Sequence, residues 1–221
     1  MRINKFLASA GHGARRKCEA LVTSGKVTVN GAVTWNLGIQ IEDGDEVRVN
    51  GQIATVGDNF IYIMLNKPRG YITSASDERG RKTVFDIVPS DTRLFSVGRL
   101  DYDTEGLLLL TNDGEFTKKL THPSSKVEKT YIVTTDKPVT SAHLKILESG
   151  IEIDGELTHP AKARKLVGNN TELKITQGRN RQVRRMFSAL GYNVTGLRRT
   201  AVGTFKLGDL ATGKWRHVET I

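Results

Sequence analysis

Residues 97–115 read Val-Gly-Arg-Leu-Asp-Tyr-Asp-Thr-Glu-Gly-Leu-Leu-Leu-Leu-Thr-Asn-Asp-Gly-Glu. Three acids, Asp101, Asp103 and Glu105, run without a break into four leucines, Leu107 to Leu110. Such an apolar run is a buried strand or the start of a buried helix, and the Asn-Asp-Gly turn at 112–114 closes it after a few residues, which selects the strand. A loop that feeds carboxylates into a core strand has its backbone fixed by the leucines behind it and lies at the edge of a cleft. A catalytic acid is expected in such a place, although most single acids in turns are caps or solvated side chains.

The chain of 221 residues is long enough for one substantial core and a small accessory domain, and its 38% hydrophobic content is that of an ordinary globular protein. No apolar run approaches membrane-spanning length and no signal-peptide pattern opens the chain, so the expected location is the cytoplasm, away from membranes. The one cysteine, Cys18, has no partner for an internal disulfide, and the five histidines are scattered without metal-ligand spacing. Neither a metal nor a thiol mechanism is expected, and no glycine-rich cofactor loop follows a strand, so no cofactor is expected either.

The formal charge of +9 is unevenly placed. Residues 1–30 hold Arg2, Lys5, Arg15, Arg16, Lys17 and Lys26 against a single acid, Glu19, and residues 174–199 hold seven bases and no acid. Two concentrated basic patches point to a nucleic acid as the partner.

At the N-terminus Ile3, Phe6, Leu7 and Ala10 recur at helical spacing up to Gly11. A second helix after Gly13 carries Ala14, Cys18, Leu21 and Val22 on one face and stops before Gly25. Arg15, Arg16 and Lys17 fall in its first turn, where they oppose the helix dipole unless an anion neutralises them. Strands are expected at Lys26–Val29, Gly38–Ile41 and Glu46–Val49, separated by Asn-Gly and Asp-Gly turns. This small domain is expected to span residues 1–52, a linker 53–59, and a larger domain 60–221.

In the second part an apolar strand at 61–65 ends in the basic turn Asn66-Lys67-Pro68-Arg69-Gly70, and Leu94–Val97 leads as a strand into the acidic loop. Lys129–Val133 alternates as a strand that sets Tyr131 on the face of Lys129 and Val133. Most strand tyrosines are packing residues. Near the C-terminal end, Gly178-Arg179-Asn180-Arg181-Gln182-Val183-Arg184-Arg185-Met186-Phe187 opens a helix whose buried face is Val183, Met186, Phe187 and Leu190. At about 100° per residue Arg184 lies at the flank of that face, while Arg181 and Arg185 point away from it. A flank guanidinium can reach a buried carboxylate, and Asp101 is the candidate partner. The outer arginines are left for phosphates.

Three of these segments carry a resemblance. Gly98-Arg99-Leu100-Asp101 with Thr104, Gly106 and the leucine run resembles the active-site motif of the RsuA-type pseudouridine synthases, whose indispensable residue is the Asp. The Asn-Lys-Pro-x-Gly turn and the Gly-Arg-x-x-Gln-Val-basic-Arg-Met segment are similar to that family's in order and spacing. The N-terminal helix, its Arg-Arg-Lys and the Lys-Val-Thr-Val-Asn-Gly strand resemble the RNA-binding S4 domain, with Ala14 in place of the usual capping serine and Gln177 in place of the usual acid before the glycine.

The resemblance implies catalysis by Asp101, stacking of the target base on Tyr131 and Arg184 as the ion-pair partner of Asp101. It also implies RNA contacts from Arg2, Lys5, Arg15, Arg16, Lys17, Lys26, Lys67, Arg99, Arg179, Arg181 and Arg185. The expected fold is α+β, a small S4-like RNA-binding domain followed by a catalytic domain on a mixed, mainly antiparallel sheet. The expected function is isomerisation of uridine in ribosomal RNA, large-subunit RNA being favoured over small. The alternative from another class is a non-catalytic rRNA-binding assembly protein. The expected partner is ribosomal RNA or a partly assembled subunit, and the protein is expected to be a monomer.

Overall fold

The computed structural model describes residues 1–57, 59–75 and 77–219; Asp58, in the expected linker, lies outside the described residues. The chain divides into two compact units.

The first unit comprises Met1–Ile61 with Ser90–Leu94 and Asn112–Gly114. Helices α1 (Ile3–Ser9) and α2 (Arg15–Thr23) bury Ile3, Leu7, Cys18 and Val22, each pair four residues apart and so on one helix face. α2 starts at Ala14 without a side-chain cap, leaving Arg15, Arg16 and Lys17 exposed in its first turn. Strands β1 (Val27–Val29), β2 (Ala32–Val33), β3 (Val47–Val49) and β4 (Gln52–Ile53) form an antiparallel sheet in the order β2-β1-β3-β4. The core joins Val27, Ile41, Val47, Val49 and Ala54 to the helix residues.

Two expectations need correction. Gly38–Ile41 is not a strand and makes only an isolated bridge from Gln40 to Arg2. The Asn30-Gly31 turn, with both φ values positive, sends the chain straight back to pair β2 with β1. The Asn50-Gly51 turn does the same for β4, and Ala54 is buried in the core, so the unit runs beyond residue 52 into the expected linker.

The second unit is built on a mixed, mostly antiparallel sheet. Its elements are β5 (Tyr62–Lys67), β6 (Phe95–Val97), β7 (Glu105–Thr111), α3 (Gly114–Thr121), β8 (Lys129–Thr135), α4 (Ser141–Ser149), β9 (Glu152–Ile153), β10 (Glu156–Leu157), β11 (Lys162–Lys165), β12 (Asn170–Ile175), α5 (Gln182–Ala189), β13 (Val194–Val202), β14 (Phe205–Lys206) and β15 (Trp215–His217). The order is β11-β12-β8-β13-β7-β5-β15, with β14 on β13 and β6 on β7. β13 and β7 run parallel; among the described residues the other pairings of the sheet are antiparallel.

The leucine strand is central and buried on both faces, as a continuous apolar run requires. Leu107 and Leu109 pack with Met64, Val97, Val202 and Leu207 and with Phe116 and Leu120 of α3. Leu108 and Leu110, on the opposite face by the strand period of two, are equally inaccessible. In the other half of the sheet Val183, Met186 and Phe187 of α5 and Leu147 of α4 cover Val133, Leu173, Ile175 and Leu197. Among the described residues no helix is long and apolar enough to cross a membrane.

Candidate active site

The acidic loop enters β7 beside β13, and one glycine sets how closely. A Cβ on Gly106 would lie 2.2 Å from the carbonyl oxygen of Arg199, and φ is +108° there, so only glycine lets the two parallel strands meet at this point. The loop is pinned from below on both sides of Asp101. Thr73 Oγ1 donates to Leu100 O at 2.8 Å and accepts from Leu100 N at 3.2 Å. Lys67 Nζ donates to the carbonyls of Pro68, Asp101 and Thr104 at 3.1, 3.0 and 2.8 Å. Three donors meeting three carbonyls use up the whole capacity of an ammonium group.

Lys67 was expected at an RNA-facing surface, and the structure corrects that. It is the last residue of β5, which pairs with the leucine strand, and is fully buried, so its charge serves the loop from inside. Burial pushes its pKa from 10.5 down to about 8, although Asp101, Asp103 and Glu105 pull the other way. Holding the ammonium there at neutral pH costs on the order of 3 kcal/mol, at about 1.4 kcal/mol per unit.

Asp101 is half-buried and lines a cleft of about 770 Å³ whose walls also include Arg99, Lys129, Tyr131, Arg181 and Arg199. The expected pair between Arg184 and Asp101 is not formed; Arg184 Nε lies 3.2 Å from Asp103 Oδ2. Arg184 also donates to Asp103 O at 3.0 Å and to Val194 O at 2.9 Å, so it clamps the loop two residues beyond Asp101 and ties it to β13. The flank position is as expected, with the side chain only 14% exposed, and its length selects the nearer acid. Among the described residues the Asp101 carboxylate has no hydrogen bond or ion pair.

Arg181 is not free for phosphate either. It grips both Asp103 oxygens, at 3.1 and 3.0 Å, from a left-handed position (φ +48°) that caps α5. Partial burial works against the Asp103 carboxylate, but the Arg181 hydrogen bonds and the Arg184 charge outweigh it and hold its pKa below the ordinary range. Arg179 pairs with Glu156 at 2.9 Å and Arg185 with Asp154, both acids belonging to the β9–β10 hairpin. Arg99 is exposed beside Asp101.

Tyr131 lies on β8 directly opposite Leu173 of β12 and Arg199 of β13, half-buried in the cleft wall. Sequence reasoning missed Thr73, Asp103 as the arginine anchor, Lys129 and Arg199. A lysine that continues an apolar strand into a Pro-Arg-Gly turn was the one available signal for Lys67. The partners of Thr73 and Arg199 are backbone carbonyls distant in sequence, and no local pattern reports them.

The RNA pseudouridylate synthase family model matches residues 61–189, and the S4 domain model matches residues 1–47. The chain is 43% identical to the ribosomal large subunit pseudouridine synthase B of Bacillus subtilis (strain 168), covering 98% of this chain and 91% of that one. It is 36% identical to the dual-specificity RNA pseudouridine synthase RluF of Salmonella typhi, covering 98% of this chain and 75% of the relative. Among solved structures, a crystal structure of a pseudouridylate synthase superposes with a TM-score of 0.73 at 36% identity, covering 99% of this chain and 96% of that one. A loop fixed by Lys67 and Thr73 thus carries Asp101 into a cleft faced by a tyrosine, in a chain matched over almost its whole length, and the chain belongs to the RNA pseudouridine synthase family, in the RsuA-type arrangement of an S4 domain followed by the catalytic domain.

Proposed function

We propose that this protein isomerises uridine to pseudouridine in ribosomal RNA, large-subunit RNA being the favoured substrate. The observation that carries the reading is the placement of Asp101, on a backbone held by Lys67 and Thr73, in the same cleft as Tyr131. The reaction breaks the bond from uracil N1 to ribose C1′, turns the base, and joins C5 to C1′, the C5 proton being lost and one proton taken up at N1. It is redox-neutral, and it needs a nucleophile or base at the sugar and base, which Asp101 supplies. It also needs a platform for the detached ring, which the Tyr131 face supplies.

Arg184 and Arg181 act through Asp103, holding the loop in place. In the second unit Arg99 contacts RNA, and in the first unit, taken by itself, Arg2, Lys5, Arg15, Arg16, Lys17 and Lys26 do so. Arg179 and Arg185 join Arg99 when phosphate displaces Glu156 and Asp154. Large-subunit RNA is favoured by the full-length likeness to the Bacillus subtilis enzyme of that description. The protein works in the cytoplasm as a monomer, on naked RNA or on a partly assembled subunit, with an S4 module that runs through β4 and Ala54, past residue 52, ahead of the catalytic domain.

The test is tritium release from ribosomal RNA labelled at uracil C5, each subunit's RNA being offered separately, naked and as immature particles. Release from large-subunit material alone is the expected result. Release from small-subunit RNA alone overturns the substrate choice, and no release from any form overturns the activity.

A further inference from the structure

Arg199 is an arginine buried in the wall of the cleft without a carboxylate. It is 5% exposed, its Nε donates to Leu107 O at 2.9 Å, and its Nη2 is buried with no hydrogen-bond partner among the described residues. A second cation lines the same wall: Lys129 Nζ donates to Thr176 O at 3.1 Å, and burial together with the Arg199 charge lowers its pKa. Among the described residues neither lies within ion-pair distance of an acid.

Two like charges desolvated side by side, one with an orphan donor, work against folding, since a buried unsatisfied donor costs about 1–3 kcal/mol and a buried charge more. The fold nonetheless fixes Arg199 firmly. Its backbone meets Gly106 on β7, its cross-strand partner on β8 is Tyr131, and the strand register slips by one residue immediately after it, between Arg199 and Ala201. Bulges of this kind re-aim side chains beside active sites.

Directly opposed strand residues hold their Cβ atoms about 5 Å apart on one face of the sheet. A uracil ring lying flat on Tyr131 therefore sits within side-chain reach of the Arg199 guanidinium. We propose that Arg199 binds an exocyclic carbonyl oxygen of the target uracil and stabilises the negative charge that gathers there during the reaction, with Lys129 reinforcing the field. This rests on the reading of Asp101 and Tyr131 as the reaction centre.

The charge arises by any route open to Asp101. If its carboxylate bonds to C1′, the N1–C1′ pair leaves with the base and spreads onto O2 and O4. If it removes a proton from C2′, a C1′–C2′ double bond forms and the base departs with the same pair. If it bonds to C6, the C5–C6 π pair moves through C5 onto O4. In each case one oxygen gains charge next to a preorganised donor in a water-poor site, where such a donor acts most strongly. A phosphate is the poorer occupant, because a single orphan guanidinium nitrogen, Nη2, at 5% residue exposure suits a planar carbonyl more than a solvated tetrahedral anion.

The experiment compares single-turnover rates of C5 tritium release, at saturating RNA, for wild type, Arg199→Met and Arg199→Lys, with RNA affinity and thermal unfolding measured alongside. The expected result is a fall of about 100-fold for Arg199→Met, partial recovery with Lys, and RNA affinity unchanged. In a second arm, transcripts carry 2-thiouridine or 4-thiouridine in place of uridine, replacing one oxygen by a weaker acceptor. Wild type is expected to slow by about tenfold on one of the two, and Arg199→Met to show no added loss on that RNA.

Wild-type rates unaffected by either thio-substitution overturn the contact even if Arg199→Met fails to fold. A folded Arg199→Met that turns over at the wild-type rate, or loses rate only in step with RNA affinity as a phosphate contact would, overturns the assignment while leaving the reaction standing. No release by wild type on any RNA overturns both.

Discussion

At the scale of single residues, the site is organised from beneath. Lys67 makes three hydrogen bonds with three protons, so its loss of a proton leaves one of three carbonyls without a donor. Its folded pKa of about 8 lies below the unfolded 10.5, so the unfolded chain binds more protons between those values. Stability from this group therefore rises with pH from about 8 to 10.5, while the grip on the loop weakens over the same range. Activity is expected to fall as pH rises through about 8, and a pH–rate profile of Lys67→Met should start lower and lack that descending limb. An unchanged limb in Lys67→Met would assign it to another group. Arg184 and Asp103 should separate in the same manner. Arg184→Met strips donors from the carbonyls of Asp103 and Val194 and is expected to cost about 1–3 kcal/mol in urea melts. Asp103→Asn, at a 40% exposed carboxylate, should cost under about 1 kcal/mol. The sequence marked Arg184 as the inward-reaching arginine because helix periodicity fixes direction. It could not choose between acids two residues apart, since that depends on how far β13 and the loop lie from α5.

Among elements, the parallel contact of β7 with β13 decides where the loop ends, and Gly106 permits it. Gly106→Ala is expected to destabilise by several kcal/mol or prevent folding, because the new Cβ meets backbone rather than a side chain that could move; thermal unfolding of the variant measures this, and a wild-type midpoint would contradict the close approach. The long apolar or periodic segments were legible: the leucine strand, the helices ended by Gly11 and Gly25, the helix that buries Val183, Met186 and Phe187, and the strand bearing Tyr131. Gly38–Ile41 was misread because isolated apolar residues at its end resembled a strand, whereas pairing went to the shorter segment that the Asn-Gly turn delivers to β1. The two-residue strand β4 had too few residues for any periodicity to show, and only the Asn50-Gly51 turn announced it.

For the whole molecule, charge placement was the most readable property. Arg15, Arg16 and Lys17 stand exposed at the start of α2, and replacing all three with Gln should weaken binding to RNA of any sequence. It should also flatten the dependence of log affinity on log salt by about 2, at roughly 0.7 per lost phosphate contact on single strands. An unchanged salt slope would place the RNA track elsewhere. The sequence overstated the freedom of the second basic patch, because the acids that meet Arg179, Arg181 and Arg185 come from Glu156, Asp103 and Asp154, remote in the chain. The proposed activity stands on Asp101, and the most direct measurement is tritium release by Asp101→Asn beside its RNA affinity. The expected result is affinity at the wild-type level with no release on the timescale of many wild-type turnovers. Release at a rate near that of wild type would contradict it.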